Sequence, residues 1–229
     1  MTVFTRRTRS PQTTSGSSVA FYTTFGTTEN PISEGGIWVR GAAEGDDWNN
    51  PLTTGGHAVA SVASGLGGSR YDDSIAHLST SYRSFSANQY AKGTVYKAAG
   101  YDPDGSHEIE LLLRWNITSG NARGYETLIG ITASNQGYIA IVRWNGSLGS
   151  YTALYDPGAG SIALPADGDV FEARISGTTI TVYRNGSAIS GATATDSTYS
   201  SGQPGIGFWP VDGALPGSYG WADFEAGDL

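Results

Sequence analysis

The sequence predicts an all-β protein, a two-sheet antiparallel jelly-roll or β-sandwich. The first observation is the stretch from Ser106 to Tyr155, where residues 108–115 alternate in polarity with a period of two. This places Ile109, Leu111, Leu113 and Trp115 on one face and Glu108, Glu110, Leu112 and Arg114 on the other. The second is the turn chemistry that punctuates it: Ser119-Gly120-Asn121, Ser134-Asn135-Gln136-Gly137 and Asn145-Gly146 separate strands over 108–115, 125–131, 138–144 and 151–155. The third is composition. Gly supplies 33 of 229 residues and charged residues only 15%, which suits short strands joined by tight turns, and no segment holds a helical period.

The remaining elements follow in order. Residues 19–24 alternate and form a first strand, and 37–40 re-enter the sheet through Trp38 after the Pro31 and Gly35-Gly36 loop. Residues 41–56 read as a polar loop whose one large apolar residue is Trp48, and 57–63 as a strand of small residues. Residues 64–89 read as irregular, 89–97 as a strand, and 101–105 as the turn into the central stretch. Later, 170–175 and 179–184 form a hairpin over Ser176-Gly177-Thr178, 190–204 a polar loop, 205–209 a strand, and 219–225 the closing strand. That is roughly twelve strands at sandwich spacing, without the fixed repeat of a propeller or solenoid.

Two regions are expected, an extended basic arm over residues 1–18 and one sandwich domain over 19–229. The arm carries Arg6, Arg7 and Arg9 and no acid. The whole chain has a formal charge of -8, so the body holds 10 basic against 21 acidic side chains, a net -11. An acidic body argues against nucleic acid, which needs clustered Lys and Arg for its phosphates. The arm is suited to docking on an acidic surface of a neighbouring subunit, or to a solvated tail. Without cysteine there is neither a disulfide framework nor a thiolate metal site. No apolar run follows the N-terminal arginines, so no signal peptide is seen, and no stretch is long enough for a membrane-spanning helix.

The order and spacing of FGTTENPISEGGIW, NQYAKGTVY, ELLLRW…GYETLIG…GYIAIVRWNG and DVFEARISGTTITVYRNG…GQPGIGFW resemble concanavalin A-like (laminin-G-like) jelly-roll domains across residues 19–226. The resemblance implies the fold. Lectins, glycanases, lyases, adhesion modules and virion proteins all share it, so function rests on the site.

Glucanases of this group carry three acids on one strand as Glu-x-Asp-x-x-Glu. Here Glu108 and Glu110 share a face but Leu113 holds the third position, so the paired carboxylates that glycoside cleavage needs are incomplete. Tyr96-Lys97-Ala98-Ala99-Gly100-Tyr101 is similar to a segment of alginate lyases, yet it precedes the central strands and no Gln-x-His accompanies it. His57, His77 and His107 lack a nucleophile motif. The expectation is therefore a non-enzymatic protein. Glu44, Asp46, Asp47 and Asn49 gather oxygen ligands in one Gly-rich loop, suited to a structural calcium or to solvation. Glycan contact needs exposed aromatic faces beside polar groups. Trp48 in its polar loop, Trp144 at a hairpin end, Arg143 and Tyr151 form the candidate set, with Trp48 alternatively plugging the sandwich end; Trp38, Trp115 and Trp209 are assigned to the core.

Cysteine-free, Gly/Ser/Thr/Tyr-rich and without a signal peptide, the chain suits a structural or adhesion protein on a phage virion surface, a capsid decoration or tail-associated subunit. Its partners would be other assembly subunits, symmetric copies of itself, and cell-surface glycans; the location would be the virion surface or extracellular space. A free-standing carbohydrate-binding module or a glycan-cleaving enzyme are the alternatives.

Overall fold

The alternating segments pair into two antiparallel sheets in the computed structural model, which describes residues 18–42, 48–61, 73–102, 105–147, 149–210 and 216–229. The strands are β1 (Ser18–Thr23), β2 (Thr28–Glu29), β3 (Trp38–Arg40), β4 (Leu52–Thr54), β5 (Ala58–Val59), β6 (Ser74–Leu78), β7 (Gln89–Lys97) and β8 (His107–Thr118). They continue as β9 (Asn121–Ile131), β10 (Gly137–Gly146), β11 (Tyr151–Tyr155), β12 (Val170–Ser176), β13 (Thr179–Arg184), β14 (Ser187–Thr195), β15 (Gln203–Pro210) and β16 (Tyr219–Asp228). One sheet runs β14-β13-β12-β7-β16-β5-β4-β2, with β1 also pairing β16. The other has seven strands in the order β11-β10-β9-β8-β15-β6-β3. The two-sheet sandwich and the four-strand meander β8–β11 agree with the fold class read from the sequence.

Between the sheets lies one core. Ile109, Leu111, Leu113, Ile129, Ile139, Ile141, Ile206 and Phe208 of the seven-stranded sheet meet Ala91, Val95, Phe171, Ile175, Trp221 and Phe224 of the other. A second buried cluster lies on the outer face of the seven-stranded sheet: Trp48, Ile75, Leu112, Trp115, Ile117, Ala122, Val142 and Trp144. A period-2 strand can feed both because its two faces are covered by different layers.

Four strands went unrecognised in the sequence: the short β2 and β4, which fall in stretches read as loops, and β6 and β14. β6 has all five residues buried; held between β15 and β3 and covered on both faces, it shows no alternation. β14 is an edge strand of mostly small residues, the majority solvent-facing, and so reads as a loop.

Trp115 is buried, but on the opposite face from the one predicted. The β8–β9 register shifts between Leu113 and Asn116, where Arg114 adopts a left-handed backbone with φ 47°. This bulge turns Trp115 to the outer face and tucks Arg114 into the sandwich end. There the Arg114 guanidinium donates to the carbonyls of Ala87 at 2.8 Å, Tyr199 at 2.7 Å and Gly177 at 2.7 Å. Its backbone N–H donates to Gln89 Oε1 at 3.0 Å. We expect Arg114→Ala to lower stability by about 2–4 kcal/mol, since several charge-assisted bonds worth about 1.5–3 kcal/mol each are lost non-additively. Urea unfolding followed by tryptophan fluorescence measures it; a change under 1 kcal/mol would show that the bulge does not depend on these bonds.

Candidate functional site: a carboxylate-lined cleft

A cleft of about 190 Å³ opens on the outer face of the seven-stranded sheet. Its lining includes Tyr138, Trp144, Tyr151, Trp209 and Leu128, with the carboxylates of Asp73, Glu108, Glu126 and Asp156. Strand alternation and register bring these residues together. Tyr138, Ala140, Val142 and Trp144 are every second residue of β10, and Trp144 stands opposite Tyr151 of β11. Glu108 stands opposite Trp209 of β15.

Each acid on the sheet is fitted individually. Glu108 accepts a hydrogen bond from the Tyr138 hydroxyl at 2.5 Å. The Tyr138 ring lies over Gly130, where an added Cβ would fall 2.1 Å from the ring, so only glycine admits it. Glu126 accepts from the Trp144 indole N–H at 2.7 Å. Glu110, 1% exposed, packs towards β15, where a Cβ on Gly207 would lie 2.0 Å from its Oε2. That oxygen is buried and has no hydrogen-bond partner among the described residues.

Burial dominates the electrostatics. It pushes the Glu108 carboxyl up to about 8, with the nearby charges of Glu126 and Asp156 adding to the rise and the Tyr138 bond opposing it. It raises Glu126 to about 7 against the opposing Trp144 bond. Glu110 is raised well above the usual carboxylate range by burial and then by Glu126, Asp73 and Glu108. These groups therefore hold protons where ordinary carboxylates are ionised.

The predicted glycan contacts separate. Tyr151 is 52% exposed and lies at the cleft rim, its ring 5.3 Å from that of Trp144. Trp144 lines the cleft wall but is mostly buried. Trp48 is 2% exposed: its ring packs edge-on to Trp144 at 4.5 Å and to Trp115 at 6.2 Å. It supports the wall and does not face the cleft. Arg143 faces the other side of β10, as a neighbour of Trp144 must. It pairs with Asp196 at 2.5 Å and bonds Thr198 at 2.8 Å. Trp209, assigned to the core from its apolar strand, instead lines the cleft and is half-buried.

Glu126, Tyr138 and Asp156 were not singled out in the sequence. The available signal was Glu126, an acid one residue after Tyr125 in a strand adjacent to Glu108 and Glu110; its register could not be read without the bulge. The histidines lie elsewhere. His77 and His107 are buried and their pKa values are lowered by it, to about 4 and about 3, so both are neutral. His57 stacks on Tyr96 at 3.6 Å.

Of the calcium candidates, Glu44, Asp46 and Asp47 lie outside the described residues. Asn49 is described: its backbone N–H donates to the Asp73 carbonyl at 2.8 Å and its carbonyl accepts from Ile75. Among the described residues no three His, Asp or Glu side chains gather as a metal-holding set. The arm with Arg6, Arg7 and Arg9 also lies outside the described residues.

No protein-family model matches the chain, and no curated protein sequence matches it significantly. Solved structures do resemble it. The CBM2 module of the evolved Dit of Lactobacillus casei BL23 phage J-1 superimposes with a TM-score of 0.55 at 13% identity, covering 92% of this chain and 95% of that one. The exoplasmic/lumenal domain of VIP36, solved with Ca2+ and Man3GlcNAc, gives 0.54 at 11% identity, covering 86% and 85%. A prokaryotic β-1,3-1,4-glucanase (lichenase) derived from a mouse hindgut metagenome gives 0.53 at 12% identity, covering 91% and 99%. The chain thus has the jelly-roll fold of lectins and carbohydrate-binding modules, which glycanases share.

The raised carboxylates fix a pH dependence of stability. A Glu whose folded pKa exceeds the ordinary 4.5 contributes stability that is fully present below that value and is lost as pH rises through the folded one. Wild-type stability should therefore fall between about pH 4.5 and 8. Glu108→Gln, neutral throughout, should match wild type at pH 5 and exceed it by at least about 1 kcal/mol at pH 9. Thermal melts at both pH values test this, and equal differences at the two would refute the assignment.

Proposed function

We propose that the chain is a non-enzymatic glycan-binding surface module whose ligand sits in the cleft over the seven-stranded sheet. The observation that carries this is the pairing of exposed Tyr151 and half-buried Trp209 in the cleft lining with carboxyls held in fixed positions by Tyr138 and Trp144. Aromatic faces take the C–H faces of a sugar, and acceptors held in place take its hydroxyls. The volume of about 190 Å³ lies below the ~300–1,000 Å³ of drug-sized ligand sites, a size for one sugar unit of a chain.

The setting we infer is a phage virion surface, as a capsid decoration or tail-associated subunit. An acidic body with a basic N-terminal segment supports it, as does the likeness to a module of a phage Dit protein. In that setting Arg6, Arg7 and Arg9 would contact neighbouring subunits, the chain would be a homo-oligomer, and many weak glycan contacts would add through avidity.

Glycan cleavage is the second reading, favoured by carboxyls with raised pKa values in a cleft. The acid pattern argues against it: the three-acid strand of the related glucanases is incomplete here, with Leu113 at its third position. Glu110, between Glu108 and Glu126 on the sheet face, is closed off from the cleft.

A glycan array should find a ligand, and Tyr151→Ala should weaken its binding about tenfold with an unchanged melting temperature. Incubation with the ligand should release no product. Absence of binding to any glycan overturns the proposal; product release that is lost in Glu126→Gln replaces it with the catalytic reading.

A further inference from the structure

The chemistry of the cleft wall narrows the ligand class. Four carboxylates line the cleft, and no Lys or Arg does among the described residues. Glu110, a fifth acid, lies on the same sheet face with its Oε2 unpartnered and buried. The partners already present use one oxygen each: Tyr138 bonds Glu108 Oε1 and Trp144 bonds Glu126 Oε2. Neither Glu108 Oε2 nor Glu126 Oε1 has a hydrogen bond to a described residue, and both side chains border the cavity.

We propose that this cleft selects a sugar unit carrying a protonated amine, with the ammonium paired to Glu108 and the ring resting on Tyr151 and Trp209. This rests on the glycan-binding reading and specifies the sugar. Glu108 is the most accessible of the three buried glutamates and has Asp156 beside it. A neutral sugar would leave the acids in their protonated state, and a uronate or sialylated sugar would add charge of the wrong sign. An ammonium offers three donors and a compensating charge. A divalent ion fits less well, because the acids are spread across strands rather than gathered as a metal-holding set. A lysine chain would bring the same charge, but the flat rings at the rim match a pyranose face better than a flexible stem.

The pairing has a linked consequence. A cation within about 4–6 Å of a carboxylate lowers its pKa by 1–3 units, so binding must release protons. The groups that can supply them are the buried carboxyls of Glu108, Glu110 and Glu126, raised above the ordinary range; Asp73, Asp156 and Tyr138 face them from the cleft lining.

The test is calorimetric titration of the full-length chain at pH 6 with three tetrasaccharides, β-1,4-glucosamine, its N-acetylated counterpart and cellotetraose, each in two buffers of different ionisation enthalpy. The amine-bearing oligomer should bind at least tenfold more tightly than the other two, and its heat should report proton release. Glu108→Gln should reduce that preference to under threefold. Glu126→Gln, tested in parallel, gives a second reading of the same preference should Glu108→Gln fail to fold. Equal or tighter binding of either uncharged oligomer overturns this inference and leaves the glycan reading intact. Binding of none of the three, together with a blank glycan array, overturns both. Equal affinity for tetralysine, or displacement of the amino sugar by 1 mM calcium, also overturns it, identifying a general cation or metal site instead.

Discussion

The cleft depends on one bulged residue. The β8–β9 hairpin begins with Thr118 opposite Asn121, Ile117 opposite Ala122 and Asn116 opposite Arg123. Carried on without interruption, that register would set Glu126 opposite Leu113, on the face that fills the core. The extra residue at Arg114 shifts it, so that Glu126 stands opposite Leu112 and shares a face with Glu108 and Glu110. A one-residue slip moves every side chain beyond it to the other face. The same step sends Trp115 outward to meet Trp48. Arg114 holds its left-handed backbone against the usual steric preference because three carbonyls and Gln89 fix it from outside the strand. One local irregularity at the sandwich end thus determines which groups face the cleft.

Placing three glutamates in an apolar sheet face is costly unless they are protonated or paired. The surrounding residues accommodate them one by one. Gly130 leaves space for the Tyr138 ring that reaches Glu108, and Gly207 leaves space for the Glu110 carboxyl. The indole of Trp144 reaches Glu126 and is itself backed by Trp48. A sheet selected for packing alone would carry apolar residues at these positions. Polar groups retained at a cost to stability mark the places where a fold serves something other than folding.

Much of the architecture was legible because it follows from local chemistry. Alternation in 108–113 and the Asn-Gly and Ser-Gly turns specify hairpins without reference to the rest of the chain. Three things were not legible, each for a physical reason. β6 is buried on both faces, so Ser74 to Leu78 carries no periodic signal. The bulge at Arg114 is stabilised by Ala87, Tyr199 and Gly177, residues distant in sequence, so neither the faces of Arg114 and Trp115 nor the position of Glu126 could be read locally. Aromatic residues were sorted by the polarity of their neighbours, which misplaced Trp209 and left Trp48 open between a glycan contact and a buried plug, of which its burial fits the second. A polar loop can deliver one indole into a buried cluster. Trp209 lies on an apolar strand, yet its side chain points to the face away from the core. Tyr151 is exposed because an edge strand keeps its outward residues outward.

The same features bear on what kind of site this is. Catalysis by two carboxyls needs one ionised and one protonated group converging on a single bond. Here Glu108 and Glu126 of the cleft wall are each held by an aromatic donor that fixes the carboxyl's orientation. Fixed acceptors lose little freedom when a ligand binds, so the interaction energy is not spent on ordering them. On the recognition reading we propose, selectivity follows from charge: buried acids with raised pKa values gain most from a ligand that supplies a positive charge.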